Sequence, residues 1–273
     1  MNYDVLVVGS GPAGLAAAVA ARGRDKSVLV VGNPWQESPL ARAERIDNYL
    51  GLPGVNGREL MEHFSAHAQR VGVEFHTGRV VAVMAWEGFA LTAGSEVFQG
   101  RTLVLAPGVA RLAKYPGEAE LLGRGVSYCA TCDGMLYRGK PVAVVGYTDT
   151  ARQEAEFLQK IGCSVTYFDR PKQCEIRGDG RVESVTCDGR TIPAEGVFIL
   201  RPTMAPTELF PGLAVEQGYV TVDRRMATNL PGLFAAGDCT GGPLQVSKAA
   251  GDGLIAGQSA AAWAAAQERR EKQ

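Results

Sequence analysis

The stretch Tyr3-Asp-Val-Leu-Val-Val-Gly9-Ser10-Gly11-Pro12-Ala13-Gly14 decides the fold of the N-terminal part of this chain. Its first six residues are a largely apolar run of the kind buried in a parallel sheet, and the alanine-rich Leu15 to Arg22 favours a helix. In the Gly-x-Gly-x-x-Gly spacing, the first glycine permits the turn and the second lets a pyrophosphate approach the backbone, while the third lets helix and strand pack closely. Because Val28 to Val31 supplies the next strand, the sequence predicts a βαβ unit with a dinucleotide at the helix N-terminus.

Composition excludes several classes of protein. The chain has 273 residues, of which 46% are hydrophobic and 21% charged, a balance typical of soluble globular enzymes. Its formal net charge of -1 gives no reason to expect nucleic acid or a charged membrane surface as a partner. No apolar run approaches the length of a membrane span, and the N-terminus leads into a strand without an export signal. The sequence therefore predicts a cytoplasmic protein that binds neither nucleic acid nor membrane.

A second strand–turn–helix signal, from Pro141 to Ala151, predicts a second unit inserted into the first. Further predicted elements are helices over 58–70, 150–161 and 245–266, strands over 80–84, 89–92, 102–106, 165–168 and 233–236, and a hairpin over 182–192. The tail from Glu268 onward is predicted to be a frayed helix end. The predicted fold class is α/β, with two Rossmann-like dinucleotide-binding domains in three layers. Residues 1–112 and 236–273 form the first, discontinuous domain, and residues 113–235 form the inserted and shortened one.

The segment Cys129-Ala-Thr-Cys132-Asp133-Gly134 carries the redox chemistry of the sequence. Two thiols at this spacing can form a mixed disulfide with a partner and resolve it internally, and a neighbouring carboxylate can handle the proton. Three other cysteines are interpreted as isolated: Cys163, Cys174 and Cys187. A zinc site would need two more ligands at a similar spacing, so we predict a redox pair and no metal site.

Five motifs occur in the order seen in the bacterial-type, low-molecular-weight thioredoxin reductases: Gly9 to Gly14, Asp47-Asn48, Leu105-Ala106-Pro107-Gly108, Gly123 to Gly134, and Phe234-Ala-Ala-Gly237-Asp238. The chain therefore resembles that family over nearly its whole length, most specifically in the cysteine segment. The resemblance implies that FAD is bound by the N- and C-terminal segments together. It also implies a homodimer whose middle domain carries the disulfide and an NADPH site.

The resemblance assigns roles to individual residues. The FAD contacts that it implies are Gly9, Ser10, Gly11, Pro12, Ala13, Gly14, Asn48, Ala106, Gly108, Gly237, Asp238, Gln245 and Val246. Asp238 would contact the ribityl–pyrophosphate part, and the backbone at Gln245-Val246 would approach the flavin N1/O2 edge. Cys132 would lie nearest the isoalloxazine. Cys129 would attack the disulfide of thioredoxin or a thioredoxin-like protein, with Asp133 as acid–base.

The second strand–turn–helix departs from the family pattern. In Gly146-Tyr-Thr148-Asp149-Thr-Ala151, a threonine replaces the glycine that permits close approach of a pyrophosphate, and an acidic residue follows it. Asp169-Arg170-Pro171 aligns with the His-Arg-Arg that holds the 2′-phosphate of NADPH in the family. The stretch after it is short by about a helix and a strand, and the nicotinamide segment reads Leu200-Arg201-Pro202-Thr203. We therefore predict that NADPH is not the donor.

This pattern resembles the branch of pyridine-nucleotide-independent, ferredoxin-dependent flavin thioredoxin reductases. That branch implies electrons from ferredoxin or another one-electron donor. Three alternatives stay open at this point. They are an NADPH-dependent thioredoxin reductase, a flavin dithiol oxidase that passes electrons to oxygen, and a non-catalytic flavin-binding redox sensor.

Overall fold

The structure is a computed structural model that describes residues 2–85, 87–108, 114–201 and 205–271. The chain divides into two compact units: unit 1 contains residues 1–110 and 203–273, and unit 2 contains residues 111–202. The sequence analysis places the return to the first domain at residue 236, whereas the structure places it at residue 203. The difference arises because residues 209–220 bury apolar side chains, among them Phe210 and Val220, in a core cluster of unit 1.

The strands, in chain order, are β1 (Asn2–Val8), β2 (Val28–Gly32), β3 (Glu74–Thr77), β4 (Val80–Ala85), β5 (Phe89–Ala93), β6 (Glu96–Leu105), β7 (Val126–Ser127), β8 (Pro141–Gly146), β9 (Ser164–Asp169), β10 (Cys174–Arg177), β11 (Ser184–Cys187), β12 (Arg190–Pro193), β13 (Gly196–Leu200), β14 (Val215–Glu216), β15 (Tyr219–Val220) and β16 (Leu233–Ala235). The α-helices are α1 (Pro12–Arg22), α2 (Gly57–Arg70), α3 (Ala130–Asp133), α4 (Asp149–Lys160), α5 (Pro206–Leu209) and α6 (Val246–Glu271). The predicted α/β fold class is confirmed. Within the described part of the chain, none of the helices combines the length and apolar character that a bilayer crossing requires.

Unit 1 is built on a seven-stranded sheet that gathers several strand ends at one edge. The strand order is β3-β2-β1-β6-β5-β4, and β16 pairs with the end of β6. β3, β2, β1, β6 and β16 are parallel, whereas β4, β5 and the first half of β6 form an antiparallel meander. Because the carboxyl ends of parallel strands meet at the same edge, the turns after β1, β2, β6 and β16 share that edge.

Helices α1 and α6 pack against each other through small residues. A Cβ atom on Gly253 would collide with the Ala13 carbonyl oxygen, and one on Gly257 would collide with the Ala17 carbonyl oxygen. Contacts that advance by four residues on both helices mean that α1 and α6 run parallel. Both helices therefore begin at the carboxyl edge of the sheet.

The tail that the sequence predicts to be a frayed helix end is helical from Glu268 to Glu271, and residues 272 and 273 lie outside the described residues. Helix α6 continues to Glu271, and its last turns are held by two ion pairs. Lys26 Nζ lies 3.4 Å from Glu268 Oε2, and Arg101 Nη2 lies 3.1 Å from Glu271 Oε2. These partners are far away in sequence, so composition alone could not reveal them.

Unit 2 contains a smaller parallel sheet in the order β7-β13-β8-β9, with α4 packed against it. A separate antiparallel sheet, β10-β11-β12, links β9 to β13. The fully described stretch 170–195 contains no helix. This connection agrees with the predicted shortening of the second unit.

A second disulfide joins Cys174 to Cys187 in the small antiparallel sheet. The two residues are direct partners in the pairing of β10 with β11, and both are buried. The interpretation of these cysteines as isolated is therefore wrong. The hairpin register brings together two residues that are 13 positions apart, which their spacing alone does not suggest.

Candidate functional site

The structure places most of the predicted FAD-binding residues at the carboxyl edge of unit 1. Gly9 to Gly14 join β1 to α1, Ala106 and Gly108 follow β6, and Gly237 and Asp238 follow β16. The turns touch one another, since the Ala106 N–H donates to the Val8 carbonyl at 2.8 Å and a Cβ on Gly237 would crowd Ala13. Ligands of open parallel sheets bind at such an edge.

Gly9, Gly11 and Gly14 are each glycine for a different physical reason. Gly9 has a φ of 110°, and a Cβ there would collide with the Ala106 carbonyl oxygen. A Cβ on Gly14 would collide with the Gly9 carbonyl oxygen. Gly11 differs, because a Cβ there would meet no protein atom within 4 Å. The open face at Gly11, together with a start of α1 that no side chain caps, fits the pyrophosphate of a dinucleotide.

Asn48 lies on an exposed loop that reaches the start of α6. Its neighbour Tyr49 packs edge-on against Phe64, with ring centroids 5.6 Å apart. Val246 packs against the same apolar cluster. Gln245 is exposed and immediately precedes α6. The loop and the start of α6 therefore belong to one packed region, against which Tyr49 is partly buried.

The redox pair lies at the end of the short strand β7 in unit 2. Cys129 and Cys132 form a disulfide. Cys129 is the N-cap residue of α3, and its Sγ accepts the Cys132 N–H at 3.1 Å. The Thr131 hydroxyl lies 3.4 Å from the same sulfur. Cys129 is buried and Cys132 is exposed, so the two sulfurs differ in accessibility.

Asp133 is oriented by a buried serine that the sequence analysis did not single out. The Ser127 hydroxyl donates to Asp133 Oδ2 at 2.7 Å and accepts the Cys129 N–H at 3.1 Å. Burial, and secondarily the Asp133 charge, raises the pKa of Tyr137 on the same turn. One buried hydroxyl thus links the carboxylate to the backbone of the redox cysteine.

A buried ion pair lies beside the redox segment, and the sequence did not predict it. Glu118 is fully buried and receives two hydrogen bonds from Arg201, at 2.6 and 2.7 Å. The Tyr128 hydroxyl donates to the same carboxylate at 2.9 Å, and the Arg201 guanidinium lies over the Tyr115 ring. Burial acts to lower the pKa of Arg201, but the hydrogen bonds and charge of Glu118 raise it overall. Tyr128 is therefore a core residue, adjacent to Cys129.

The turn between β8 and α4 is filled by the chain's own side chains. A Cβ on Gly146 would collide with the Tyr167 hydroxyl. Thr148 is buried, and its hydroxyl accepts a backbone N–H from the first turn of α4 at 3.3 Å. At the end of β9, Asp169 binds Arg152 at 2.7 Å, and this guanidinium lies 4.8 Å from the Tyr167 ring centroid. Thr148 stands at the position of Gly11 in the aligned pattern, so a buried side chain lies where the first turn has none.

Cys239 and the histidines of α2 lie outside the redox segment. Burial raises the pKa of Cys239 to about 12, and its thiol donates to the Ala236 carbonyl at 3.3 Å. His63 and His67 lie on the exposed face of α2. The described residues include no cluster of three or more side chains that could hold a metal ion.

Comparisons with known proteins agree with this architecture. The family model of pyridine nucleotide-disulphide oxidoreductases matches residues 3–175 and 170–253. A thioredoxin reductase from Listeria innocua is 34% identical, and the match covers 94% of this chain and 92% of the Listeria protein. A crystal structure of a ferredoxin-flavin thioredoxin reductase from Clostridium acetobutylicum is 38% identical with a TM-score of 0.89, covering 100% of this chain and 99% of its own. A thioredoxin reductase structure from Gloeobacter violaceus is 31% identical with a TM-score of 0.84, and the match covers 98% of this chain and 95% of the Gloeobacter chain.

Proposed function

The chain belongs to the thioredoxin reductase family of pyridine nucleotide-disulphide oxidoreductases, and we propose that ferredoxin or another one-electron carrier, not NADPH, supplies its electrons. Membership of this family implies a bound flavin, and the proposed cofactor is FAD. The substrate is the disulfide of thioredoxin or a thioredoxin-like protein, which the chain reduces through Cys129 and Cys132. The ferredoxin-flavin thioredoxin reductase with its TM-score of 0.89 supports this branch over the NADPH-dependent one.

The donor assignment rests on one observation: the chain's own side chains fill the edge of unit 2 where a pyridine nucleotide would bind. A pyridine nucleotide needs an open turn at the start of the helix after β8, and Tyr167 and Thr148 fill that turn. The 2′-phosphate of NADPH would meet the Asp169 carboxylate, which already holds Arg152. At the end of β13, Arg201 is committed to buried Glu118. Each feature acts at a different part of the nucleotide, so tight binding would require several rearrangements together.

The edge of unit 1, in contrast, fits FAD. The pyrophosphate would lie over Gly11, where the start of α1 offers uncapped amides. Asp238 would hold the ribityl–pyrophosphate part, and the backbone at Gln245 and Val246 would face the flavin ring. Once bound and reduced by two one-electron transfers from the donor, FAD would supply the two electrons that the Cys129–Cys132 disulfide needs.

The thiol chemistry then follows from the arrangement at α3. The Cys132 N–H and the Thr131 hydroxyl stabilise a thiolate on Cys129. As it ionises, the reduced Cys129 thiol gives its proton to Asp133. The thiolate then attacks one sulfur of the substrate disulfide and forms a mixed disulfide, and the displaced sulfur takes that proton from Asp133. Cys132 passes its own proton to Asp133 and attacks the Cys129 sulfur, so that the original bond forms again and the second substrate sulfur leaves with the proton from Asp133. Two electrons and two protons have then passed to the substrate.

The exposure of the two sulfurs supports the role of Cys132 and shows that Cys129 must become more accessible during the reaction. Exposed Cys132 is the sulfur open to an electron donor, as the assignment requires. Buried Cys129 must become exposed after reduction before it can attack a protein disulfide. Ser127 holds Asp133 beside the pair in the meantime.

The donor is tested by anaerobic reduction of the bound flavin. We expect reduced ferredoxin to bleach the flavin absorbance within seconds and to support thioredoxin reduction, whereas NADPH and NADH at micromolar concentration should not. Bleaching by NADPH at a catalytic rate would overturn the donor assignment. Rapid peroxide production from a small dithiol in air, without thioredoxin reduction, would indicate an oxidase. The absence of turnover with every donor would indicate a sensor.

The thiol roles are tested by trapping with a thioredoxin that lacks its resolving cysteine. The Cys132→Ser variant retains the attacking thiol and should accumulate a covalent complex, whereas the matched Cys129→Ser variant should not. The reverse result would exchange the two roles and leave the overall function intact.

We further propose that two subunits associate through unit 1. Several of its large apolar side chains are exposed in a single chain, including Leu50 at 96%, Leu254 at 48% and Leu244 at 40%. Analytical ultracentrifugation should give twice the mass of the chain, and a monomer at micromolar concentration would contradict the proposal.

A further inference from the structure

A partly buried ion pair on α6 holds the turn that follows β16. Lys248 Nζ donates to the Gly237 carbonyl at 2.7 Å and to the Gly241 carbonyl at 2.8 Å. The same ammonium contacts Thr240 Oγ1 and Asp252 Oδ2, each at 2.8 Å. An ammonium has only three donor protons, so these acceptors use all of its capacity.

Asp252 completes the arrangement from the next turn of α6. Its Oδ2 accepts the Gly237 N–H at 3.1 Å and the Thr240 hydroxyl at 3.1 Å. Both polar groups of the Gly237 backbone are therefore held by one pair, the N–H by Asp252 and the carbonyl by Lys248. The two side chains are only 14% and 18% exposed, so water screens the pair weakly.

The turn needs such support because its backbone is intrinsically free. Gly237 and Gly241 have φ values of 83° and 107°, a region that glycine enters without cost and leaves just as easily. Between them lies Asp238, the side chain assigned to the ribityl–pyrophosphate part of FAD. A ligand that had to order this segment would lose affinity to the ordering cost.

We propose that Lys248 and Asp252 are positioning residues that preset the turn 237–241 for FAD, an inference that rests on the proposed flavin site. The pair fixes Asp238 relative to the start of α6, which carries Gln245 and Val246. Two parts of the proposed site thereby become one rigid element. Lys248 acts through the turn and need not touch the cofactor.

The chain offers a matched control on the same helix. Lys26 pairs with Glu268 near the other end of α6, and its side chain is 13% exposed. Neither residue of this pair contacts a predicted FAD-binding residue among the described hydrogen bonds. Lys26→Met removes an ion pair whose lysine is similarly shielded, although its Glu268 is 37% exposed, and it leaves the turn untouched.

The test measures FAD affinity by titration of apoprotein, followed by flavin fluorescence. We expect Lys248→Met to weaken FAD binding by about 10- to 100-fold and Lys26→Met to change it less than about twofold. Both variants should lower the melting temperature of the apoprotein, so stability alone cannot produce the difference. Equal FAD affinity of Lys248→Met and the parent chain would overturn the inference. A parent chain that does not bind FAD would overturn the proposed function itself.

A double-substitution cycle separates positioning from general damage. If Lys248 acts through the turn that carries Asp238, Lys248→Met should add little further loss of FAD affinity in an Asp238→Ala background. Full additivity of the two losses would show that Lys248 acts elsewhere and would contradict the inference. Should Lys248→Met fail to fold, Asp252→Asn serves in the same cycle, because it removes the charge and keeps an acceptor for the Gly237 N–H.

Discussion

The turn between β1 and α1 and the turn between β8 and α4 have the same topology but opposite surroundings. In unit 1, the helix begins without a side-chain cap, and the space over Gly11 is free of protein atoms. In unit 2, Thr148 stands at the position of Gly11 and caps the helix, and the Tyr167 hydroxyl packs against Gly146. A strand–turn–helix with glycines therefore predicts a fold, and only the side chains around the turn decide whether a phosphate can bind there.

The largest expected effect concerns the buried pair at the edge of unit 2. Arg201→Met leaves the carboxylate of Glu118 buried without its cation, which should destabilise unit 2 by about 3–5 kcal/mol. Hydrogen exchange of peptides from unit 2 measures this loss. Arg152→Met, which removes the exposed pair with Asp169, should cost less than about 1 kcal/mol. Equal losses in both variants would mean that the closed edge does not depend on the buried pair.

The next effect concerns the open turn of unit 1. Gly11→Val places its side chain where no protein atom lies, so we expect the apoprotein to lose no more than about 1 kcal/mol. FAD affinity should fall at least about 100-fold, or about 2.7 kcal/mol, because the side chain fills the proposed pyrophosphate space. Flavin titration and thermal unfolding of the apoprotein measure the two quantities. Unchanged affinity would place the pyrophosphate elsewhere, and Gly9→Ala should by contrast impair folding itself.

A smaller effect is expected at the cap of α4. Thr148→Ala removes the hydroxyl that accepts an N–H of the first helical turn, which should destabilise unit 2 by about 1 kcal/mol. Thr148→Ser keeps the cap and should change stability less. Neither variant should gain turnover with NADPH, since Tyr167 and Asp169 remain. NADPH-dependent turnover in Thr148→Ala would show that this one side chain had closed the site.

The smallest expected effect is the labelling of the free cysteine in each unit. Burial raises the pKa of both Cys239 in unit 1 and Cys163 in unit 2. A raised thiol pKa means less thiolate, and for Cys239, with a pKa of about 12, roughly one molecule in ten thousand is ionised at pH 8. Iodoacetamide labelling of the native, mildly reduced protein at pH 8 should therefore modify Cys129 and Cys132 first. Labelling of Cys239 at a comparable rate would show that the packing around the first edge opens.

The parts of the fold that sequence predicts are those with local physical causes. Gly9 to Gly14 predict a turn because two of their demands are local: Gly9 has a φ of 110°, and Gly14 packs against the Gly9 carbonyl. The cysteine segment is predictable for the same reason, since its two bonded cysteines are only three positions apart. The short connection after β9 was also readable, because chain length alone limits what can fold between Asp169 and Gly196.

The missed features depend on contacts between distant positions. Glu118 and Arg201 are 83 residues apart, and neither has a neighbour in sequence that marks it as buried. Ser127 stands in the quoted cysteine motif, but its hydrogen bond to Asp133 appears only once β7 and α3 are placed. The Cys174–Cys187 bond likewise depends on hairpin register. Pairings of this kind are set by tertiary packing, which periodicity does not encode.

The capped start of α4 has a consequence for how the protein matures. Thr148 satisfies an N–H of that helix internally, so on the proposed function unit 2 needs no ligand to reach its final stability. Unit 1 leaves its helix start without a side-chain cap, and on the same proposal its stability would rise with the free FAD concentration as RT ln(1 + [FAD]/Kd). On the proposed function, the amount of intact protein in a cell would follow riboflavin supply. It would be indifferent to the size of the nicotinamide pool, which in an NADPH-dependent relative would stabilise the second domain as well.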